Sequence, residues 1–412
     1  MKYLSRFILK LVRSLPEKWQ DHFIRNIFEI KLPRGKFKKI EYKAVENLEE
    51  LEEALSLLHD TYLKTNLSNQ NDLKYRLTKF NLLPTTTIFI AKYENKVIAT
   101  ITQVIDTSLG LPIDDFTNIS DLRGTGKRIS EITGLAVHKD WRSRSAGLFF
   151  SLTSVAVIYC KEKIKSDYLV IVTKASVRSF YRALFGFKNV SKKIERHSGI
   201  NNNPSFAQYL DLNNLENDFR SIYKNKPFKK NMYLILKNFP WHKQCSIKEL
   251  DYSVNVNNIF TYSGFESIFE NELQKILKSL TISEIQYLKS VHSDLKYFDQ
   301  CFKFKLFYKN ERKHMRFIVN MNLKYNNKDF KIHEVSAGGF CAIGSITPKE
   351  IEGFIDLGNN SICYIKAVKR WFKSNRAGYE LMAYDSEKWG KMIEYTTNEW
   401  QNNQNNHPFK VA

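Results

Sequence analysis

The stretch that most narrows the fold is AGLFFSLTSVAVIYCKEK (146–163), followed almost at once by DYLVIVT (167–173). The first reads as a helix apolar on nearly every side, and the second as a strand without polar alternation. Elements that are both buried need a layer on each face, which is the logic of an α/β fold with a central sheet. The neighbouring stretches agree. LEELEEALSLLHDTYL (48–63) has helical periodicity, and TIFIAKYENKVIATITQVID (87–106) reads as a hairpin turning near Glu94 and Asn95. RISEITGLAV (128–137) reads as a further strand, and SVRSFYRALFGF (176–187) as a short helix ending at Gly186.

The period changes after residue 302. Strands are expected at 303–308, 316–325, 328–335, 353–357, 361–372 and 377–384, and Phe317, Val319, Met321, Leu323 and Tyr325 alternate strictly. Six short antiparallel strands make a small barrel, with SEKWGKMIEYTTNEW (386–400) as a helix closing one end. Residues 215–300 are polar and aromatic, and FESIFENELQKILKSL (265–280) is helical, suited to linking or packing between domains. The expected organisation is a basic amphipathic leader (1–40), an α/β domain (41–215), a helical or irregular linker (216–301) and an all-β six-stranded barrel with its closing helix (302–405).

Length and composition fit this division. A chain of 412 residues exceeds one ordinary core, and 43% apolar with 14% aromatic residues is globular. The net charge of +21, from 64 Lys+Arg against 43 Asp+Glu, suits anionic partners without choosing among nucleotides, nucleic acid, acidic carrier proteins and anionic lipid. Only charge speaks for nucleic acid, so no specific nucleic-acid partner is expected. Cys160, Cys245, Cys301, Cys341 and Cys363 show no paired-ligand spacing, which fits reduced cytoplasmic thiols and no metal site. No apolar run approaches the ~18 residues that cross a bilayer. The N-terminus MKYLSRFILKLVRSLP puts Leu4, Phe7, Ile8, Leu11, Val12 and Leu15 on one helical face and Lys2, Arg6, Lys10 and Arg13 on the other. Such a helix either lies on the anionic inner face of a membrane or packs on the domain that follows.

Chemistry concentrates where GLAVHKDWRSRSAGLFF (134–150) passes from strand to helix. Free N–H groups at a helix start suit a phosphate or pyrophosphate. The segment resembles the Q/R-x-x-G-x-G/A signature of the GNAT acetyltransferase superfamily; Arg142 and Gly147 match, and Ser145 replaces the first glycine. Tyr181, ahead of Gly186-Phe187, sits where the rest of that pattern is expected. DTSLGLPIDDFTNISDLRGTGKRISEITGLAV (106–137) resembles the N-acyl amino-acid synthases, GNAT enzymes related in fold to acyl-homoserine-lactone synthases. Their Leu-Pro-x-Asp loop is similar to Leu111-Pro112-Ile113-Asp114, and their Glu-x-x-Arg motif reads Glu131-Ile-Thr-Gly134 here, keeping the glutamate and losing the arginine.

The resemblance, over residues 45–212, implies acyl transfer from a phosphopantetheine thioester to an amine such as an amino acid. The donor would be acyl-ACP (acyl carrier protein) or acyl-CoA. Glu131 would be the base and Tyr181 the acid for the leaving thiolate. Main-chain N–H groups near Leu135 and Val137 would polarise the thioester carbonyl, while Arg142, Ser145 and Gly147 hold the donor and Asp114 shapes the substrate loop. Read without the resemblance, Glu131 pairs with Arg128 or Lys127, Tyr181 is a packed aromatic, and Arg142 is a surface cation.

In the second half, NERKHMRFIVNMNLKYNNKDFKIHEVSAGGF (310–340) carries Arg312 and Arg316 before a strand, then Glu334-Val-Ser336-Ala-Gly-Gly339 on the next. Over about residues 302–400 this resembles a PilZ domain, whose R-x-x-x-R and D/N-x-S-x-x-G motifs bind cyclic di-GMP, with Glu334 in the Asp/Asn position. Guanidinium forks bind phosphate or a guanine edge bidentately, a carboxylate accepts from guanine N–H groups, Ser336 adds a hydroxyl and Gly339 clears space. The combined expectation is an N-acyltransferase regulated by cyclic di-GMP. The alternative is a non-catalytic cyclic di-GMP effector whose degenerate acyltransferase fold is a protein-docking module.

Overall fold

The computed structural model describes residues 15–28, 39–68, 73–124, 126–142, 145–191, 194–197, 201–234, 264–291, 314, 316–344, 348–357, 361–373 and 375–405. The apolar-basic run 2–14, the strand expected at 303–308 and Arg312 lie outside the described residues.

The α/β half is built on β1 (Glu41–Ala44), β2 (Thr87–Tyr93), β3 (Lys96–Ile105), β4 (Ile129–Val137), β5 (Tyr168–Lys174), β6 (Lys188–Asn189), β7 (Glu195–His197) and β8 (Asn203–Asp211). They form one sheet in the order β1-β2-β3-β4-β5-β8-β6, with β7 also on β8. Every pairing is antiparallel except β4 with β5. That parallel step needs a crossover, which the helix Ser145–Ile158 and its π turn at Tyr159–Lys163 supply. The β2–β3 hairpin turns through Glu94 (φ 50°) and Asn95 (φ 63°), both left-handed as a tight hairpin requires. Gly186 (φ 76°) ends the helix Arg178–Phe185, and Asn47 caps the helix Leu48–Lys64 by accepting from Glu50 N–H at 2.9 Å.

Two cores flank the sheet. One packs Leu148, Leu152, Val155 and Ala156 of the crossover helix on Phe89, Ile101, Leu169 and Ile171. The other sets Leu51, Ala54 and Leu55 of the helix 48–64 against Ile88, Ile90, Val104 and Val170. Phe265, Phe269, Leu273, Ile276, Leu277, Tyr287 and Leu288 belong to this second core. The helices Phe265–Ile268, Glu270–Ser279 and Ile282–Val291, expected within a linker, therefore complete the α/β half. The helix Glu17–Ile27, expected within the leader, packs on the helix 178–185. There Arg182 bonds Asp21 (2.9 Å) and Glu17 (2.7 Å), and Arg25 donates to the Ala183 carbonyl at 2.8 Å. Among the described residues no helix is long and apolar enough to cross a membrane.

The second sheet is a closed six-stranded barrel. Its strands are β9 (Phe317–Tyr325), β10 (Lys328–Ser336), β11 (Gly339–Ile343), β12 (Glu350–Asp356), β13 (Ile362–Lys373) and β14 (Arg376–Tyr384), ordered β10-β11-β14-β13-β12-β9. The strand count matches the expectation, but β11 is one that the sequence reading omitted. GFCAI is short, follows Ser-Ala-Gly-Gly directly and is buried at every position, so it shows no alternation. Phe317, Val319, Met321 and Leu323 point inward as their spacing requires. Trp389, from the closing helix Ser386–Asn405, plugs one end and donates from Nε1 to the Ser336 carbonyl at 3.2 Å.

The two halves meet through buried polar groups. Asp106, at the end of β3, accepts from Arg123 Nε (2.8 Å) and Nη2 (2.9 Å) and from Arg376 of the barrel. Arg123 also grips Asp114 at 2.7 and 2.6 Å. Arg128 donates to the carbonyls of Ile164 (3.1 Å) in the α/β half and of Val319 (3.1 Å) and Ile332 (3.0 Å) in the barrel. Burial would raise the Asp106 pKa, but Arg376 and Arg123 hold it below the usual carboxylate value. Removing the shared carboxylate takes from the buried Arg376 the carboxylate it holds and leaves Arg123 with Asp114 alone. We expect Asp106→Ala to cost about 3–5 kcal/mol in denaturant unfolding and Arg376→Ala to cost less, since Arg123 still neutralises Asp106. Equal losses, each under about 1 kcal/mol, would show that the cluster does not bear on stability.

Candidate active site

β4 runs beside β3 as far as Ala99↔Val137, but it pairs with β5 only at Ile129, Ser130 and Glu131. Past Glu131 the two central strands part. The cause is local: the β3–β4 register shifts between Thr100 and Thr102, and Gly134 adopts φ +63°. A Cβ at 134 would stand 2.9 Å from Thr102 Oγ1. The position where the Glu-x-x-Arg motif has arginine is thus a crowded left-handed turn here, and glycine fits it.

Glu131 sits where the strands part and is 2% exposed. Its Oε2 accepts from the Ile113 N–H at 2.7 Å. Burial pushes its pKa well above the usual value; the Ile113 N–H opposes this, and the charges of Asp114, Asp115 and Asp106 add to the rise. Neither neighbouring cation takes it. Arg128 is spent on the three carbonyls described above, and Lys127 faces Asp167 at 3.5 Å.

Glu131 opens into a cavity of about 530 Å³ whose lining includes Tyr62, Arg76, Thr102, Asp115, Gly134, His197 and Lys275. The segment 73–81 forms one wall and is pinned at three points. Glu272 accepts from the N–H groups of Lys74 (3.1 Å) and Tyr75 (3.0 Å), Tyr75 donates its hydroxyl to Glu52 (2.6 Å), and Arg76 N–H reaches the Leu55 carbonyl (3.3 Å). These fixings set the Arg76 guanidinium 4.2 Å over the Tyr62 ring. Sequence reasoning missed Arg76 and His197, and it placed the helix that carries Glu272 in a linker. The segment around Arg76 has no periodicity, and its anchoring helix lies about two hundred residues away.

Of the other expected residues, Tyr181, Leu135, Val137, Arg142 and Asp114 are not in the lining of this cavity. Tyr181 packs among Phe149, Phe180, Phe185 and Phe187, and burial with the nearby Tyr62 pushes its hydroxyl up to about 12. Leu135 and Val137 are half-buried on β4 beyond the parting. Arg142 ties the end of β4 to the helix 48–64, donating to the Val137 carbonyl (3.0 Å) and Thr61 Oγ1 (3.3 Å). Ser145 and Gly147 fall in the first turn of the crossover helix. The Asp114 carboxylate is held by Arg123 and by the Leu111 N–H at 2.8 Å, so it shapes its loop, and Asp115 faces the cavity.

A second cavity, about 620 Å³, opens on the barrel and brings together Arg316, Glu334, Ser336 and Gly339, with Arg370 and Tyr379 on its wall. Arg316 Nη1 donates to Glu334 Oε2 at 2.7 Å, and Ser108 of the α/β half donates to Glu334 Oε1 at 3.0 Å. Burial would raise the Glu334 pKa, but Arg316 and His333 bring it down to about 2. Ser336 Oγ lies 3.3 Å from the Gly339 carbonyl. A Cβ at Gly339 would stand 2.1 Å from the Tyr379 carbonyl, so contact with β14 by itself demands glycine there.

Residues 53–211 match the family model of the N-acyl amino acid synthase FeeM. The solved structure of FeeM, an N-acyl amino acid synthase from uncultured soil microbes, is 22% identical, covers 43% of this chain and 94% of its own, with a TM-score of 0.38. The CoA-dependent acyl-homoserine lactone synthase BjaI is 12% identical, covering 45% and 91%, with a TM-score of 0.32. An acyl-CoA N-acyltransferase from Pseudomonas aeruginosa is 15% identical, covering 41% and 98%, with a TM-score of 0.30. The chain matches no curated protein. The family match associates the α/β half with N-acyltransferases.

The raised Glu131 pKa carries a stability signature. Above about pH 4.5 the unfolded carboxyl ionises while the folded one stays protonated, so stability falls as pH rises toward the folded pKa. Glutamine keeps an acceptor for Ile113 and does not titrate. Glu131→Gln should therefore melt with wild type below pH 4.5 and increasingly above it as pH rises. A melting difference independent of pH would mean that the carboxyl is not held protonated.

Proposed function

We propose that the α/β half moves an acyl group from a phosphopantetheine thioester to an amine, and that cyclic di-GMP in the barrel cavity regulates the transfer. The observation that carries the first part is Glu131, a buried carboxyl of raised pKa at the parting of β4 and β5, inside a segment similar to N-acyl amino acid synthases. A base of raised pKa is better matched to an ammonium than an ordinary carboxylate. In the ionised state Glu131 accepts the proton of the acceptor's ammonium, directly or through water. The freed nitrogen attacks the thioester carbonyl, main-chain N–H groups of Leu135–Val137 stabilise the oxyanion, and the C–S bond breaks as the C–N bond forms. The departing thiolate takes a proton from Tyr181 or water, and the second proton shed by the acylated nitrogen replaces it, so that amide and thiol leave neutral. The donor lies along β4 toward Arg142 and the helix start at Ser145 and Gly147. A net charge of +21 suits an acidic carrier protein as its bearer.

Support for the second part is the clustering of Arg316, Glu334 and Ser336 in one cavity with the Tyr379 ring. Arg316 is tied to Glu334, whose other oxygen is held by Ser108. A guanine or phosphate that draws Arg316 away leaves Glu334 to re-form its bonds at the domain contact. Thr107 and Ser108 follow Asp106 directly, and Asp106 holds the Arg123–Asp114 clamp beside Ile113, the donor to Glu131. Occupancy of one cavity thereby alters the other, and substrate alters nucleotide affinity by the same factor.

Mass spectrometry of lipid extracts from cells expressing the chain should reveal a new N-acyl species, lost in Glu131→Gln. Its persistence in that variant would remove Glu131 from the mechanism. Calorimetric titration with cyclic di-GMP should give binding that Arg316→Ala weakens about tenfold to a hundredfold. Arg316→Lys should restore little, because an ammonium lacks the planar fork. Absence of binding by the wild type would end the nucleotide reading.

A further inference from the structure

The helix Glu17–Ile27 uses one face and leaves the other uncovered. Gln20, Ile24 and the capping residue Phe28 lie on the side turned to the α/β half. Gln20 accepts from Ser179 Oγ at 2.9 Å, and Ile24 and Phe28 pack on the core. Both acids of the helix serve the same contact: Glu17 is held by Arg178 (2.6 Å) and Arg182 (2.7 Å), and Asp21 by Arg182 (2.9 Å). At about 3.6 residues per turn the opposite side gathers Leu15, Lys18, Trp19, His22, Phe23 and Asn26, with Ile27 at its edge. No acid is among them. Trp19 is 66% exposed and Ile27 is 62% exposed, so neither serves the core.

A second element extends this surface. Lys226 donates to Asn26 Oδ1 and Lys230 to the Asn26 carbonyl, which draws the turn Phe228–Lys230 against the C-terminal end of the helix. In sequence Phe228, 44% exposed, lies between Lys224 and Lys226 on one side and Lys229 and Lys230 on the other. Among the described residues Lys18, Lys224 and Lys229 enter no ion pair. Large apolar side chains in contact with water thus stand beside lysines that no carboxylate neutralises, and the two together mark an interaction site. We propose that this surface docks on an anionic lipid bilayer, with Trp19, Ile27 and Phe228 entering the headgroup layer and Lys18, Lys224 and Lys229 meeting lipid phosphates. An indole settles at that boundary because one edge is polar, and a lysine stem lies along the apolar layer while its ammonium stays with the phosphates. Lysines alone would suit an acidic protein equally. The exposed Trp19, Ile27 and Phe228 favour lipid, since each gains from burial in hydrocarbon without needing a matching pocket.

The test sediments the full-length protein with vesicles of phosphatidylcholine alone and of an equal mixture of phosphatidylcholine and phosphatidylglycerol, at low and at high salt. The protein should pellet with the anionic vesicles and be largely released by salt, because the attraction of exposed lysines is screened. Trp19→Ser should weaken the partition about tenfold. The double variant Lys224→Gln/Lys229→Gln should weaken it about fivefold for each lysine removed. The lysine variant leaves the helix 17–27 untouched, so it decides the matter should Trp19→Ser melt earlier than wild type. Equal binding to both kinds of vesicle, or binding to neither, overturns the proposal. Anionic binding that survives both variants overturns it as well and locates attachment elsewhere on the chain. Capture of an acidic acyl carrier protein through Lys224 and Lys229, with no vesicle bound, overturns it in favour of a protein partner.

Discussion

Asp106 is the group on which the arrangement of the two halves depends. A carboxylate this deeply buried is unfavourable unless cations surround it, and here one comes from its own domain and one from the barrel. Arg123 then passes the constraint on, because the guanidinium that satisfies Asp106 also fixes Asp114 and with it the loop that presents the Ile113 N–H to Glu131. The shape of the site and the seating of the barrel are consequences of one charge.

The two cavities differ in how their polar groups are satisfied. Around Glu131 the protein keeps a carboxyl in surroundings that favour its neutral form. Around Glu334 it does the opposite, holding a carboxylate charged by contact with Arg316. The same side chain is thus held toward its neutral form in one place and toward its charged form in the other, and environment alone separates the two.

Much of this was legible in the sequence where periodicity and turn chemistry coincide. The β2–β3 hairpin followed from Glu94-Asn95, the crossover helix from its all-round apolarity, and β9 from strict alternation. Glu131 and the Arg316–Glu334–Ser336 group were visible as spaced motifs. What stayed hidden depends on tertiary contact. β11 is too short and too uniformly buried to alternate, and Arg76 lies in a segment shaped only by its bonds to distant residues. The helices 265–291 look like a linker because their apolar faces make sense only against the second core of the α/β half. Asp106, one aspartate at the end of a strand, has nothing in its neighbours to announce two arginines.

Because the helices 265–291 fill the second core of the α/β half, that half is discontinuous along the chain: its described parts are separated by residues 235–263, and the last of them precedes the barrel in sequence. Arg316 N–H takes the Ser290 carbonyl, so the barrel begins on the final turn of a helix that belongs to the other half. Sequence boundaries are therefore not the joints of this molecule. A cut near residue 215 would remove the Glu272 wall of the cavity and uncover Leu51, Leu55 and Val104. A cut near 300 would keep that wall but leave Asp106 and Arg128 facing water in place of the barrel. Neither severs at a seam, and a nascent chain would hold an incomplete α/β half until residues far beyond it had emerged.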